Sequence, residues 1–492
     1  MDAVKTVVVG FMGSGKSTVG RLLAERRRVP FVDADAAIEE TAGRPITEIF
    51  ANDGEEAFRA LEADVIARLL EGEAGVLALG GGALRGEAAG LLRDRATVVW
   101  LDVEADTAWA RVQPSRARRP LAQDEARFRA LHAERRAGYA AAADVQVDGE
   151  PDARVVAASI QVAPICRPGA LDILPRLVGD RRAVLLVDDA VADRAPAVDA
   201  ETVVMAGGEQ AKSAVQLEAL WRALAAAELE RRDVVVAMGG GAVTDVAGLA
   251  AATFRRGLAW IAVPTTLVGQ VDAAIGGKTA IDVAAKNDVG AFHLPAAVVA
   301  DPVLLETLPP REWSAGFAEV VKTALLAGGR LWELVRAWAP GQGEPAARTE
   351  LVRLSAAYKA RVVGEDPTER GLRAVLNLGH TIGHGVEAAA GYGTLLHGEA
   401  VAVGLMAALR LSAELRGLDE DVVAEVGALL AANGLPVRAE GVAAAGVEAA
   451  MRGDKKRTGG RPRMVLLDAV GAPVYGIDPG DAALTRAVAS AL

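Results

Sequence analysis

Thr6-Val7-Val8-Val9-Gly10-Phe11-Met12-Gly13-Ser14-Gly15-Lys16-Ser17-Thr18 decides the fold of the amino-terminal part of the chain. The first four residues are β-branched and largely apolar, which suits a buried strand. Gly10 to Ser17 then fill the pattern G-x-x-x-x-G-K-[ST], whose glycines let backbone N–H groups turn toward phosphates. Gly13, Gly15 and Thr18 belong to this ATP cradle, Lys16 can reach the β- and γ-phosphates, and the Ser17 hydroxyl can ligate Mg²⁺. Residues 17–27 have helical periodicity, so the positive end of that helix would face the nucleotide. A strand before the loop and a helix after it argue against a chance match in a turn.

Further strand-like runs lie at 31–32, 75–79, 97–101 and 145–147, with helical stretches between them. Five strands alternating with helices predict a parallel sheet covered on both faces, an α/β P-loop kinase domain. The loop fixes the nucleotide and leaves the acceptor open. Phe31-Val32-Asp33-Ala34-Asp35, Phe58-Arg59-Ala60-Leu61-Glu62, Leu79-Gly80-Gly81-Gly82 and Arg119-Pro120-Leu121 come in that order. With them the chain resembles shikimate kinase over residues 1–158. The resemblance implies that Asp33 lies near Mg²⁺ and that Asp35 holds the acceptor hydroxyls and draws off a proton. It gives the shikimate carboxylate to Arg59 and Arg135, the ring to the turn at Gly81, and a lid arginine to Arg119. Ala137 stands between Arg135 and Tyr139 where the family has proline.

The segment Arg373-Ala374-Val375-Leu376-Asn377-Leu378-Gly379-His380-Thr381-Ile382-Gly383-His384, followed by Leu396-His397-Gly398-Glu399, carries a second chemistry. Three of the chain's 5 histidines fall within it. His380 and His384 share one face if the segment is helical. Imidazole is a common zinc ligand, and two histidines with a carboxylate make an open catalytic site.

Ahead of that segment, residues 182–188 read as an apolar strand ending in Asp188, a carboxylate suited to a ribose diol. Residues 234–238 lead into Gly239-Gly240-Gly241 and the start of a helix with Asp245, where a pyrophosphate could rest on backbone amides. A plain tight turn accounts for the triple glycine equally well. The wider series is Gly208-Glu209-Gln210-Ala211-Lys212, Arg256-Gly257, Thr265-Thr266, Asp272, Gly276-Gly277-Lys278, Lys286-Asn287, Thr307 and Glu319-Val320-Val321-Lys322. With it the chain resembles 3-dehydroquinate synthase over roughly residues 160–492.

That resemblance implies Glu319, His380 and His397 as ligands of zinc or another divalent metal, with His384 on substrate. It assigns NAD to Asp188, Glu209, Lys212, Gly239, Gly240, Gly241, Asp245, Thr265, Thr266, Lys278, Lys286, Asn287 and Thr307. The phosphorylated substrate falls to Arg256, Asp272, Lys278, Lys286, Lys322, Lys359, Arg373, Asn377 and His384, with Lys455 or Lys456. Of these, Lys278, Lys322, Arg373, Asn377 and His384 are expected to be catalytic. The implied cycle oxidises 3-deoxy-arabino-heptulosonate 7-phosphate at C5, eliminates phosphate, returns the hydride and closes the ring to 3-dehydroquinate. Ala190, Ala273, Ala274 and Ala285 depart from the family pattern, and Ala190 puts NAD affinity in question.

The expected organisation is a kinase over residues 1–159, an NAD-binding α/β domain over 160–305 and a mainly helical metal and substrate domain over 306–492. Ala163-Pro164-Ile165-Cys166-Arg167-Pro168-Gly169 breaks the pattern between the halves. A chain of 492 residues is too long for one compact core. Its net charge of -11 disfavours non-specific nucleic-acid binding. One cysteine forms no intrachain disulfide, and no apolar run reaches the length of a membrane span, so a cytoplasmic enzyme is expected. A homodimer through the synthase half is expected from the family. The rivals are a kinase fused to a metal-dependent polyol dehydrogenase, and a chain in which one half is a decayed docking module.

Overall fold

The computed structural model describes residues 5–72, 75–85, 88–93, 95–114, 124–391, 393–458 and 462–492. The amino-terminal sheet is formed by β1 (Lys5–Val9), β2 (Phe31–Asp33), β3 (Val76–Ala78), β4 (Ala96–Asp102) and β5 (Val145–Asp148). The order is β2-β3-β1-β4-β5, with every pairing parallel. Val7, Val8 and Val9 are fully buried, because a parallel sheet flanked on both faces leaves no strand side for water. Helix α1 (Lys16–Arg27) leaves the P-loop, α2 (Glu125–Ala142) runs into β5, and α3 (Ala153–Val162) leads toward the second half.

The second sheet has the order β6-β13-β10-β9-β7-β8, again parallel throughout. Its strands are β6 (Ile165–Cys166), β7 (Ala183–Asp188), β8 (Glu201–Met205), β9 (Val234–Gly239), β10 (Ala259–Pro264) and β13 (Ala297–Ala300). Helix α4 (Gly241–Thr253) follows β9, and β11 (Lys278–Ile281) pairs with β12 (Val289–Phe292) in an antiparallel hairpin. The remainder is largely helical: α5 (Pro310–Ala327), α6 (Pro345–Glu365), α7 (His380–Ala390), α8 (His397–Arg416) and α9 (Ala444–Thr458) among others. A second hairpin, β14 (Met464–Ala469) with β15 (Ala472–Ile477), lies near its end. No described helix is long and apolar enough to cross a membrane.

Each sheet has a core of its own on one face, and the two share a third. Val8, Val19 and Leu23 of the first half belong to one buried cluster with Val236, Val263 and Val299 of the second. Helix α3 joins them through Val156, Ala157 and Ile160. Each valine, leucine or isoleucine among them, taken fully out of water, contributes about 1.5–3 kcal/mol. Polar contacts follow the same seam. The Cys166 N–H donates to the Asp144 carbonyl at 2.7 Å, and Arg167 Nε to the Asp144 carboxylate at 2.9 Å. The short connection expected from the sequence is therefore a packed joint.

Cys166 lies in that joint and is 1% exposed. Burial pushes its thiol up to about 12. At pH 8 the thiolate fraction is then about one part in ten thousand. A maleimide at pH 8 should leave Cys166 unmodified in the native chain and label it once denaturant opens the joint. Fast labelling under native conditions would show that the halves separate.

Candidate active sites

In the P-loop, Gly10, Gly13 and Gly15 take φ of 153°, 84° and 88°, values that side-chain-bearing residues rarely adopt. Lys16 Nζ donates to the Gly10 and Phe11 carbonyls at 2.9 and 3.0 Å, within the loop. Ser17 Oγ donates to Asp33 Oδ2 at 2.5 Å, so these two oxygens meet where a Mg²⁺ would need both. The acceptor side is organised by the glycine turn. A Cβ on Gly80 would stand 2.6 Å from Asp35 Oδ1, and one on Gly82 would stand 2.6 Å from Arg59 Nη2. Arg135 Nη1 donates to the Gly81 carbonyl at 2.9 Å, and the Tyr139 hydroxyl to the same oxygen at 2.5 Å. Asp35, Arg59, Gly81 and Arg135 therefore converge on one turn.

Glu62, which carried no expected role, lies 2.5 Å from Arg59 and fixes its direction. Its spacing of three residues after Arg59 was the available signal. Burial raises the Glu62 carboxyl, against the bonds from Arg59. Arg119 lies outside the described residues.

In the second half, α4 opens at Gly240 with no side-chain cap, which leaves its first N–H groups for a ligand. A Cβ on Gly239 would clash with Val243 at 2.7 Å, and one on Gly240 would crowd Thr266 at 3.2 Å. Asp188 ends β7 beside this turn, and burial raises its carboxyl against N–H bonds from Ala190 and Gly240. Lys212 pairs with Asp245 at 2.7 Å and also donates to Asn287. Burial pushes Asp245 up to about 6. Thr265 donates its N–H to the Gly239 carbonyl at 2.9 Å, and the Thr266 hydroxyl accepts from Gly269 at 3.1 Å. Glu209 reaches Lys286 at 3.7 Å, while the Thr307 hydroxyl donates to Leu304 at 3.4 Å.

Helices α5, α7 and α8 bring the metal-type residues together. Glu319 Oε1 lies 3.4 Å from His380 Nε2 and 3.5 Å from His397 Nε2. Donors on a tetrahedral zinc at about 2.0–2.1 Å stand about 3.3 Å apart, so this trio fits such an ion. The His384 nitrogen joins the other two histidines within 4.8 Å. The opposite ring nitrogens are occupied: His380 Nδ1 sits 3.2 Å from the Leu378 carbonyl and His397 Nδ1 sits 3.3 Å from Glu387. Such partners fix which nitrogen faces a metal. Burial disfavours a charged His397, yet Glu319 and Glu387 outweigh it and raise the imidazole to about 9. A metal ion has to displace that proton, so its affinity rises with pH up to that value. Burial, then His380 and His397, bring His384 down to about 3, and it stays neutral.

A buried charge lattice adjoins this trio. Lys322 Nζ stands 2.6 Å from Glu319 Oε2 and 3.7 Å from Asp272 Oδ1. Lys359 holds Asp272 by its carboxylate at 2.8 Å and its carbonyl at 2.6 Å. Burial opposes ionisation of Asp272, but Lys359 and Lys322 outweigh it and bring the carboxyl to about 2. Burial brings Lys359 down to about 8. Asp272 lies in a π-helical turn, Gly269–Ala273, a geometry frequent at functional sites. Arg373, 1% exposed, donates to the Pro367 and Gly276 carbonyls at 2.7 and 3.2 Å.

Two carboxylates here escaped the sequence. Glu369 contacts Lys278 at 2.5 Å and Asn377 at 3.4 Å, from a left-handed backbone with φ of 57°. Glu387 joins His397 to Lys286, which it meets at 2.8 Å. Glu387 follows His380 and His384 at helical spacing, a signal present in the sequence; Glu369 had none. Arg256 is exposed in the turn after α4, with φ of 66°. Lys455 and Lys456 fall in α9, and their side chains lie outside the described residues.

The carboxy-terminal parts match family models for the 3-dehydroquinate synthase N-terminal region over residues 202–315 and its C-terminal region over 316–457. A 3-dehydroquinate synthase of Halorhodospira halophila is 41% identical over 336 residues, which is 66% of this chain and 95% of that protein. The shikimate kinase model matches residues 12–163. The chain belongs to the 3-dehydroquinate synthase family, with a shikimate kinase fused ahead of it. It is thus bifunctional, a phosphotransferase and a phosphorus–oxygen lyase of the shikimate pathway. Among solved structures, a 2-deoxy-scyllo-inosose synthase complexed with carbaglucose-6-phosphate, NAD⁺ and Co²⁺ has a TM-score of 0.60 at 26% identity, covering 66% of this chain and 95% of its own. A 2-epi-5-epi-valiolone synthase from Streptomyces hygroscopicus, with NAD⁺ and Zn²⁺ bound, has a TM-score of 0.59 at 28% identity, over 66% and 94%.

Glu387→Gln should lower zinc affinity about ten- to hundredfold, as loss of a supporting carboxylate commonly does. Competition with a chromophoric chelator measures it; unchanged affinity would remove Glu387 from the metal's support.

Proposed function

We propose a division of labour with residues 1–159 as the kinase, 160–305 as the NAD-binding domain and 306–492 as the metal and substrate domain. In the kinase, Gly13, Gly15, Lys16 and Thr18 hold ATP, and Ser17 and Asp33 hold Mg²⁺. Arg59, Gly81 and Arg135 seat shikimate by its carboxylate and ring, and Asp35 takes the hydroxyl proton as phosphate transfers. Arg119 closes over the transferring group, which keeps water from it.

In the synthase, the open end of α4 with Asp188, Lys212, Asp245, Thr265 and Thr266 suits NAD, and Glu319, His380 and His397 suit a zinc ion. When bound, NAD⁺ accepts and returns the hydride at C5 while the metal acidifies a substrate hydroxyl. The chain's own residues set the charges around that chemistry. Lys278, Lys322, Lys359 and Arg373 neutralise the carboxylate and phosphate of the heptulosonate, and Asp272 keeps Lys322 and Lys359 in register. Neutral His384 donates or accepts a hydrogen bond at a substrate oxygen, and Asn377 orients it. Glu369 exchanges its contact with Lys278 for a substrate hydroxyl. The phosphate itself draws the proton that its departure requires. The synthase half forms a homodimer, and the enzyme works in the cytoplasm on small molecules, with no nucleic acid or membrane partner.

The observation that carries this assignment is the meeting of Glu319, His380 and His397 with Lys322, Lys359 and Asp272 in one buried cluster. A polyol dehydrogenase has no use for such cations. The test is phosphate release from the heptulosonate phosphate with NAD⁺ substoichiometric to that substrate, with and without a chelator. Release beyond the NAD⁺ supplied, abolished by chelation, is expected; accumulating NADH without phosphate would mark a dehydrogenase. Lys16→Ala should abolish shikimate phosphorylation and leave phosphate release within about twofold, since catalytic P-loop contacts act on the nucleotide alone.

A further inference from the structure

Helix α6 belongs to the synthase half, yet it touches the kinase half as well. Lys359, on one side, binds Asp272 in the charge lattice. Arg353 lies six residues earlier, roughly 240° around the helix at about 100° per residue, and so points elsewhere. Its guanidinium bridges three backbone carbonyls. Nε donates to Cys166 at 2.7 Å, Nη1 to Ala140 at 2.5 Å and Nη2 to Ala143 at 2.8 Å. Ala140 is in the last turn of α2 and Ala143 caps it, where the carbonyls of a helix lack internal partners. A cation there also meets the negative end of the helix dipole.

Helix α2 is the element that carries Arg135 and Tyr139 to the Gly81 carbonyl, beside Asp35 and Arg59. Tyr139 sits immediately before Ala140, so the clamp and the contact with the glycine turn occupy the same helical turn. Other arginines also cross the joint: Arg361 pairs with Asp148 at 2.9 Å, Arg176 donates to the Ala96 carbonyl at 3.2 Å, and Arg167 holds the Asp144 carboxylate one residue past the cap, but none of the three bonds a carbonyl of α2. The joint itself is tight: a Cβ on Gly364 of α6 would stand 2.8 Å from the Ser159 nitrogen of α3.

We propose that Arg353 of the synthase half is a positioning residue for the kinase: by clamping the end of α2 it holds Arg135 and Tyr139 at the glycine turn that receives shikimate. The proposal rests on the assignment of Arg135 and Gly81 to shikimate. It makes the kinase's acceptor affinity depend on a residue that a free-standing kinase does not possess. A free end would let the last turn of α2 fray, and the turn at Gly81 would lose its fixed carbonyl direction. The P-loop, on α1, would be untouched.

The test is steady-state kinetics of both reactions in the full chain for wild type, Arg353→Met, Arg353→Lys and Arg361→Met. Arg353→Met should raise the KM for shikimate about three- to tenfold, a size usual for a residue acting through an intervening element. The kinase kcat, the KM for ATP and synthase turnover should stay near wild type. Arg353→Lys, which keeps the charge without the fork, should fall between, and it decides alone if the methionine variant does not fold. Arg361→Met removes another bond across the joint without touching α2, and should leave the KM for shikimate unchanged. An unchanged KM in the Arg353 variants would overturn the proposal. So would an equal rise in Arg361→Met, or a parallel loss of all activities, either of which would mean general loosening. Absence of shikimate phosphorylation in the wild type would defeat the kinase assignment instead, and the two failures are distinct.

Discussion

The second half depends on a chain of buried charges that no member could leave alone. Glu319, Lys322, Asp272 and Lys359 alternate in sign over contacts of 2.6, 3.7 and 2.8 Å. A single charge at such depth would be driven to neutrality or would cost several kcal/mol. Alternation opposes the neutralising effect of burial, and it joins α5, which carries Glu319, to the turn that follows β10. An anionic substrate reaching this lattice would meet cations already oriented, with no rearrangement required.

The kinase half solves its problem with backbone. Three successive glycines at 80–82 let a carboxylate and two guanidinium groups approach the main chain closely. Both halves thus place glycine where a ligand or a charged side chain must come near the peptide, and both build their sheets from apolar parallel strands.

Much of this was written plainly in the sequence. The strand and loop around Lys16 were legible because a phosphate cradle needs glycines at fixed offsets, and the sheet strands because burial on both faces demands continuous apolar runs. Candidate donors were legible where chemistry restricts the residue type, as with His380 and His397, whereas Glu319 came only through the resemblance. Partners that only orient others were not. Glu369 owes its position to a left-handed backbone, and Arg353 is one arginine among many, whose value comes from three carbonyls in segments far from it in sequence.

The common core has a consequence for how the cell handles this molecule. Two catalysts that share buried side chains across α3 are coupled in folding, although each also keeps a core of its own. A lesion that unfolds either sheet exposes apolar surface of the other, so quality control would remove both activities together. Their amounts are locked in equal number for the lifetime of the chain, and separation of the genes would demand that each orphaned face acquire a new, water-compatible surface.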